Sequence, residues 1–280
     1  MNELRYIRNP EWLYDRIDDR NLRIIDCQFS LADEKAGKAR YQEGHIPGAA
    51  FLNIHSDLSA SVREHGGRHP MPSRESFIAL MQRLGVDQNT HLIAYDGGEM
   101  AFAGRFLWIC HVYGYINVAL LNGGLNAWKQ KGYPISTKVP RFSKTDFAPN
   151  EGLPVLASYE KIKNWVDNPL RKGYLIDSRE SRRYKGIEEP IDHKAGHIPG
   201  AINYEWTGNF TNGAFMSVTE LQKRFKDLED LPITVYCGSG ITATPNYIAL
   251  LEAGFSNVQV YAGSFSDWIS YADNEVVSEE

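Results

Sequence analysis

The residue type best suited to chemistry in this sequence is a cysteine at the end of an apolar run. The run "LPITVYC" ends at Cys237, and "GSGITAT" follows it directly. Gly238 and Gly240 allow the backbone to curl so that successive N–H groups point inward, where they stabilise an anion. The predicted helix "PNYIALLEAGF", closed by Gly254, adds the positive end of its dipole. These surroundings favour the thiolate of Cys237, which is the nucleophilic form.

The rest of the loop fits this interpretation, although a simpler one exists. Ser239 and Thr242 add hydroxyl donors, and no Cys or His stands at ligand spacing from Cys237, so a zinc site is not predicted. The simpler interpretation is an inert cysteine before a tight turn, but the Gly-Ser-Gly sequence and the helix entry favour a reactive thiolate. Cys27 and Cys110 lack such a turn and are predicted to be buried and unreactive.

The chain repeats itself, which predicts two copies of one unit. "GHIPGA" occurs at His45 and again at His197, and the halves close alike with "INVALLNGGLNAW" and "SNVQVYAGSFSDW". Where the second copy has its cysteine, in "ITVYCGSG", the first copy has Asp96, in "HLIAYDGG". A carboxylate cannot act as a sulfur nucleophile, so we expect one active centre per chain.

Features shared with the half that lacks the nucleophile are best explained by the fold. His45 and His197 are therefore predicted to tie a ring N–H to the backbone rather than to act as bases. Trp128 and Trp268 recur in the same way and are predicted to lie in the core.

Short apolar runs alternate with amphipathic stretches, which predicts an α/β fold. "SRESFIALMQRLGV", with Ser73 as N-cap, and "SVTELQKRFKDL", with Leu221, Phe225 and Leu228 on one face, have helical spacing. The alternation implies a mostly parallel sheet with helices on both faces in each half. A proline-containing stretch without periodicity separates the halves. We therefore predict domains at 1–136 and 157–280 with a linker at 137–156.

Composition excludes several classes of partner. The net charge of −5 makes a nucleic acid or an anionic membrane surface an unexpected partner. No run approaches the ~18 apolar residues of a membrane span, and the N-terminus has no signal-peptide core. Three cysteines, odd in number and far apart, indicate a reducing compartment, and we expect the cytoplasm.

The combination of motifs resembles the tandem-domain rhodanese family of thiosulfate and 3-mercaptopyruvate sulfurtransferases. The motifs are "GHIPGA" twice, "LNGGLNAW", "DSRESRRYKG" and the six-residue loop "CGSGIT". The resemblance implies two rhodanese-like domains, the first inactive. It implies that Cys237 takes a sulfane sulfur from a small anionic donor, holds it as a persulfide and passes it to cyanide, a small thiol or thioredoxin. It implies no organic or metal cofactor.

The resemblance also implies roles for individual residues. Arg183 in "DSRESRRYKG" would bind the donor, because a guanidinium suits carboxylate or sulfonate oxygens. Arg179 either forms a structural pair with Asp177 or contacts the donor, and both alternatives stay open. The persulfide would lie among the remaining loop residues, which are Gly238, Gly240, Ile241 and Thr242.

A Ser–His–Asp relay proposed for such enzymes maps only in part onto this chain. Ser239 matches its serine, and His69 in "GGRHPMP" stands at about the position of its histidine, although a hydrogen-bonding role at a domain interface fits His69 equally. The aspartate position is held by His55, with Asp57 two residues on. Arg68 is a candidate for lining a cleft between the two predicted domains.

The loop composition bears on the donor. Thiosulfate-preferring members carry cationic residues after the cysteine, whereas Gly238 and Ser239 are uncharged, so the resemblance favours 3-mercaptopyruvate. Mercaptopyruvate enzymes also present a second arginine before "GHIPGA". Asp192 stands at about that place, which predicts that one arm of the donor clamp is absent.

Three alternatives compete with a sulfurtransferase. A Cys-dependent phosphatase or arsenate reductase needs an arginine six places after the cysteine, and Ala243 stands there. A persulfide carrier or sulfide sensor that docks on a partner protein fits the same loop and stays open. A purely structural module predicts that Cys237→Ser has no effect.

Overall fold

The computed structural model describes residues 3–279, which divide into two compact units. The first unit comprises the residues up to Ala60, Met71–Leu153 and Thr211–Phe215. The second comprises Ser61–Pro70, Pro154–Phe210 and the residues from Met216 onward. The predicted domain boundaries, with a linker at 137–156, divide the chain only once and remain a prediction. The compact units differ from them because each includes a short segment from the other half of the chain.

The first unit is built on a five-stranded parallel sheet with strand order β1-β5-β4-β2-β3. Its elements are β1 (Ile7–Arg8), α1 (Pro10–Tyr14), β2 (Leu22–Asp26), α2 (Ala36–Glu43), β3 (Ala49–Phe51), α3 (Arg74–Arg83), β4 (His91–Tyr95), α4 (Ala101–Val112), β5 (Val118–Leu121) and α5 (Gly124–Gln130). The predicted linker contains no helix or strand before Leu156.

The second unit repeats this order as β6-β12-β11-β7-β8, again with parallel pairing. Its elements are β6 (Leu156–Ala157), α6 (Tyr159–Asp167), β7 (Tyr174–Asp177), α7 (Ser181–Tyr184), β8 (Ile202–Asn203), a 3-10 helix (Trp206–Asn209), the paired strands β9 (Phe210–Thr211) and β10 (Ala214–Phe215), α8 (Val218–Arg224), β11 (Ile233–Tyr236), α9 (Ala243–Ala253), β12 (Val258–Tyr261) and α10 (Ser264–Trp268). The predicted α/β fold with parallel sheets is confirmed. Within residues 3–279, every helix is too short or too polar to cross a bilayer.

Helix ends follow the predicted signals. Ser73 caps α3 by accepting a hydrogen bond from the Ser76 N–H, and Gly254 ends α9 with φ +107°. The prediction for "SVTELQKRFKDL" was wrong at its end, because α8 stops at Arg224 and leaves Phe225 and Leu228 beyond the helix. Both side chains are still buried.

The repeated histidines have the structural role predicted for them. Nδ1 of His45 lies 2.8 Å from the carbonyl oxygen of Tyr41, and Nδ1 of His197 lies 2.7 Å from that of Tyr184. Each ring also stacks on that same tyrosine, with centroids 3.9 Å apart. The two units therefore share one packing motif, a histidine stacked on and bonded to a tyrosine.

The repeated tryptophans and two of the three cysteines lie in the core, as predicted. Trp128 and Trp268 are buried, and each indole N–H donates to a carbonyl oxygen at 2.8 Å. Cys27 and Cys110 are also fully buried. Burial raises the pKa of both thiols well above its ordinary value, so they stay protonated and unreactive.

Candidate active site

Cys237 follows β11, which pairs with β7 on one side and β12 on the other. The three strands are parallel, so their carboxyl ends open onto the same edge of the sheet, where α/β proteins bind ligands. The loop 237–242 then leads into α9, which begins at Ala243. The fold thus presents the cysteine between a strand end and a helix N-terminus.

The loop curls around the sulfur. The Gly240 N–H donates to Sγ of Cys237 at 3.1 Å, and only 1% of the cysteine is exposed. Gly240 has φ +78°, and a Cβ there would lie 2.3 Å from the carbonyl oxygen of Ala262, so only glycine fits. Ile241 is buried, whereas Thr242 is partly exposed and immediately precedes α9.

Ser264 binds the backbone of Cys237, and the sequence did not predict this role. Its Oγ accepts from the Cys237 N–H at 3.1 Å, donates to the Tyr261 carbonyl at 2.9 Å and lies 4.0 Å from Sγ. Ser264 has φ +56°, a conformation that costs a non-glycine residue energy. The matching residue of the first repeat is Gly124, at φ +55°. A serine opposite a glycine in the repeat alignment was the available signal.

Two arginines flank the start of the loop. A Cβ on Gly238 would lie 3.0 Å from Nη2 of Arg68 and 3.5 Å from Nη2 of Arg183. Arg183 comes from α7, and its side chain is 13% exposed. The predicted absence of one clamp arm concerns the position of Asp192 and stays a prediction. Arg68, also a predicted site residue, places a second guanidinium at Gly238 from far along the chain.

Arg68 belongs to a segment, Ser61–Pro70, which we call the strap. The Gly66 N–H donates to Oδ1 of Asp267 at 2.7 Å. Gly67 has φ +76°, and a Cβ there would lie 2.3 Å from the carbonyl oxygen of Gly263. The strap therefore docks by a close approach of its glycine backbone to the turn before α10.

The strap also brings the predicted histidine to the loop. Nδ1 of His69 lies 2.9 Å from Oγ of Ser239, and both residues are buried. Asp57 stands two residues after His55, which holds the predicted aspartate position of the relay, and forms a salt bridge with Arg83 at 2.6 Å. The geometry thus provides a Ser–His pair beside the cysteine.

Two carboxylates bind the flanking arginines and were not predicted. Glu189 accepts from Nε of Arg183 at 3.1 Å and from Nη2 at 2.7 Å. Asp192 accepts from Nη2 of Arg183 at 3.1 Å through one oxygen and binds Nη1 of Arg68 closely through the other. Burial raises the pKa of Glu189, but hydrogen bonds from Arg183 and from backbone N–H groups outweigh it and lower the net pKa. Glu189 is therefore ionised at neutral pH.

The contacts of Arg179 support a structural role, one of its two open alternatives. Its side chain is buried, and Nη2 donates to Asp177 and to the Gly196 carbonyl, both at 2.6 Å. Nη1 donates to Glu189 at 3.2 Å, and the guanidinium carbon lies 3.9 Å from the ring centroid of Phe265. Burial lowers the pKa of Arg179, but the charge of Asp177 more than compensates and the net pKa is raised. These contacts fix the position of the Arg179 guanidinium.

The first unit has the same loop with an acid at its centre. The carboxylate of Asp96 accepts four backbone N–H groups at 2.8–3.3 Å, from Gly98, Met100, Phe102 and Ala103. Burial and the charge of Glu99 raise the pKa of Asp96 to about 6 against the lowering effect of these amides. The carboxylate therefore lies among the backbone N–H groups of its own loop, which we call the amide ring.

The site offers no obvious metal-binding group. Among residues 3–279, the His, Cys, Asp and Glu side chains form no cluster of three that could hold a metal ion.

Comparisons with known proteins agree with this geometry. The pattern of the rhodanese-like domain matches residues 9–131 and 158–271. A Pseudomonas aeruginosa protein named "Probable 3-mercaptopyruvate sulfurtransferase" is 38% identical over 91% of this chain and 92% of its own. The chicken thiosulfate sulfurtransferase is 30% identical over 96% of this chain and 94% of its own. The crystal structure of the Escherichia coli 3-mercaptopyruvate sulfurtransferase SseA superposes with a TM-score of 0.81 at 29% identity, covering 93% of this chain and 99% of that one.

The chain belongs to the rhodanese family, with two rhodanese-like domains in tandem. It is a sulfurtransferase, an enzyme that moves a sulfane sulfur from a donor to a thiophilic acceptor such as a thiol or cyanide.

Proposed function

We propose that Cys237 is the nucleophile and carries the sulfur as a persulfide. The observation that carries this proposal is the Gly240 N–H, which points at Sγ from 3.1 Å inside a curled loop. The first unit supports it, because the Asp96 carboxylate accepts hydrogen bonds from four backbone N–H groups in the matching loop. A ring of amides that holds a carboxylate in one copy suits a thiolate or persulfide anion in the other.

The donor we propose is 3-mercaptopyruvate, held by Arg183 and Arg68. Both guanidinium groups lie at Gly238, within one residue of the sulfur, and neither Gly238 nor Ser239 adds a charge. The names of the Pseudomonas and Escherichia relatives favour the same donor.

The proposed transfer step forms an S–S bond, breaks a C–S bond and moves one proton. The Cys237 thiolate attacks the donor sulfur, an S–S bond forms, and the C–S bond breaks with its electron pair remaining on carbon as pyruvate enolate. The enolate carbon gains a proton, and the donor thiol loses one, so that pyruvate and a persulfide anion result. We assign the proton transfer to Ser239 with His69, supported by their 2.9 Å contact.

An acceptor then restores the enzyme. A thiolate or cyanide attacks the outer sulfur of the persulfide, and the Cys237 thiolate leaves, which gives ping-pong kinetics. We propose a small thiol or thioredoxin as acceptor and the cytoplasm as compartment. The three cysteines support a reducing compartment, because all of them are free thiols.

The test replaces one cysteine at a time. Cys237→Ser is expected to abolish transfer from 3-mercaptopyruvate to cyanide and the gain of about 32 Da, one sulfur atom, that intact-mass spectrometry detects on the donor-treated enzyme. Cys110→Ala, at a buried thiol in α4, is the control and is expected to keep both. Substantial activity in Cys237→Ser would overturn the proposal. A persulfide that forms only with a protein partner present would instead support a carrier.

A further inference from the structure

The two arginines at the loop do not present free positive charge. Asp192 bridges them, with one carboxylate oxygen on Arg183 and the other on Arg68. Glu189 binds Arg183 in addition and is itself fixed by the N–H groups of Ile191 and Asp192, both at 3.0 Å. Two guanidinium groups and two carboxylates therefore stand together, and their formal charges cancel.

Burial makes this cancellation effective. The side chains of Asp192 and Glu189 are each 3% exposed, whereas Arg68 is 34% exposed. Solvent screens a buried charge poorly, so the negative charge of Asp192 is felt by any anion that approaches Gly238. The exposed pair of Arg182 with Glu188, where the glutamate side chain is 54% exposed, lacks this property.

The charge of the donor then decides how strongly Asp192 opposes it. At neutral pH, 3-mercaptopyruvate carries one negative charge, on its carboxylate, and thiosulfate carries two. If one buried carboxylate weakens the binding of a singly charged donor by a certain factor, it weakens that of a doubly charged donor by about the square of that factor.

We propose that Asp192 is the residue that determines donor specificity, by disfavouring doubly charged donors between Arg68 and Arg183. This inference rests on the proposed function, in which these arginines bind the donor beside Cys237. Uncharged residues after the cysteine contribute to the same selection, but Asp192 supplies a negative charge rather than the mere absence of a positive one.

The experiment measures the donor ratio, defined as kcat/KM for thiosulfate divided by kcat/KM for 3-mercaptopyruvate. Asp192→Asn keeps the size of the side chain and removes its charge, and we expect the donor ratio to rise about tenfold. Glu188→Gln removes the same formal charge from the exposed pair with Arg182 and is expected to leave the ratio unchanged.

A second measurement does not depend on turnover. Sulfate, with two negative charges, and pyruvate, with one, are tested as inhibitors of the wild-type enzyme and of Asp192→Asn. We expect inhibition by sulfate to gain more than inhibition by pyruvate. Asp192→Ser repeats both measurements if the Asn variant folds poorly by thermal unfolding.

The outcomes separate this inference from the proposed function. A donor ratio that stays within about twofold of wild type in Asp192→Asn, or that rises equally in Glu188→Gln, would overturn the role of Asp192. Transfer activity that survives Cys237→Ser would instead overturn the proposed function, whatever the ratio does.

Discussion

At the scale of single residues, the cysteine depends on a neighbour that pays a conformational penalty. Ser264 stands at a left-handed φ that the first repeat fills with Gly124. Its hydroxyl bonds the Cys237 N–H and the Tyr261 carbonyl, which fixes the start of the loop. A serine is strained at this φ, whereas the glycine of the first repeat is not. The presence of serine therefore indicates that its hydroxyl is needed.

Ser264→Gly is expected to separate activity from stability. The glycine relieves about 1 kcal/mol of left-handed strain but removes the hydrogen bond to Cys237, so we expect kcat/KM to fall about tenfold with little change in Tm. Ser264→Ala is the control, because it loses the same bond and keeps the strain, and its Tm should fall further. Unchanged kcat/KM in both variants would contradict the role.

Asp96 predicts a pH dependence that belongs to the first unit. Its pKa is raised to about 6 from 3.8. Between these values the unfolded chain is ionised and the folded one is protonated, so ionisation favours the unfolded state as the pH rises. We expect the free energy of unfolding to fall by up to about 3 kcal/mol between pH 4 and about 6, at 1.36 kcal/mol for each pH unit.

Two measurements check this pH dependence. The Asp96 carboxyl resonance followed by carbon NMR should titrate near pH 6. In denaturant unfolding, the free energy of unfolding of the wild type should fall relative to that of Asp96→Asn as the pH rises over that range. A carboxyl that titrates below pH 4 would show that the four amides outweigh burial.

At the scale of elements, the strap connects a glycine turn to the proposed donor site. The backbone of Gly67 approaches Gly263 so closely that a Cβ would lie 2.3 Å from the carbonyl oxygen. The next two residues are Arg68, at Gly238, and His69, at Ser239. A shift of the backbone at Gly67 is therefore expected to move the side chains of both Arg68 and His69.

Gly67→Ala is expected to impair donor binding more than stability. The methyl group forces the strap away from Gly263, so we expect KM for the donor to rise and kcat/KM to fall about a hundredfold. Gly132→Ala is a matched control, because Gly132 also has a left-handed φ, +70°, but nothing lies within 4 Å of its Cβ position. Equal losses of activity in the two variants would mean that backbone strain alone, and not the docking of the strap, causes the effect.

At the scale of the whole molecule, two units with the same sheet order carry different side chains at matching positions. In the first unit, Arg40 precedes Tyr41 as Arg183 precedes Tyr184, but the Arg40 guanidinium donates to the Phe29 carbonyl at 2.7 Å. The matching loop carries an acid, Asp96, at its centre. The first unit therefore has the same sheet order, with a carboxylate where the proposed nucleophile stands in the second and an arginine bound to a backbone carbonyl.

Moving the thiol should therefore not move the activity. We expect the double variant Asp96→Cys with Cys237→Ser to fold and to show no sulfur transfer, since the arginine that matches Arg183, Arg40, binds the Phe29 carbonyl. Transfer assays with 3-mercaptopyruvate and intact-mass spectrometry of the treated protein check this. Restored turnover would mean that a thiol in the amide ring is sufficient by itself.

Helix ends and turns could be predicted from neighbouring residues. Contacts between residues far apart in the sequence could not. The helix ends at Ser73 and Gly254 and the turn after Cys237 are visible in a few adjacent letters, and the internal repeat identified which histidines are structural. The pairing of Asp192 with Arg68 joins residues 124 positions apart, and no local pattern specifies it. The conformation of Ser264 likewise depends on tertiary packing.

The strap has a consequence for how the protein can be divided. Arg68 and His69 are encoded in the first half of the gene, yet they serve the half that contains Cys237. A fragment cut at the linker would retain Cys237 and Arg183 and would lack the second guanidinium and the imidazole. Such a cut therefore divides the residues of the proposed site between two pieces, and neither piece contains all of them.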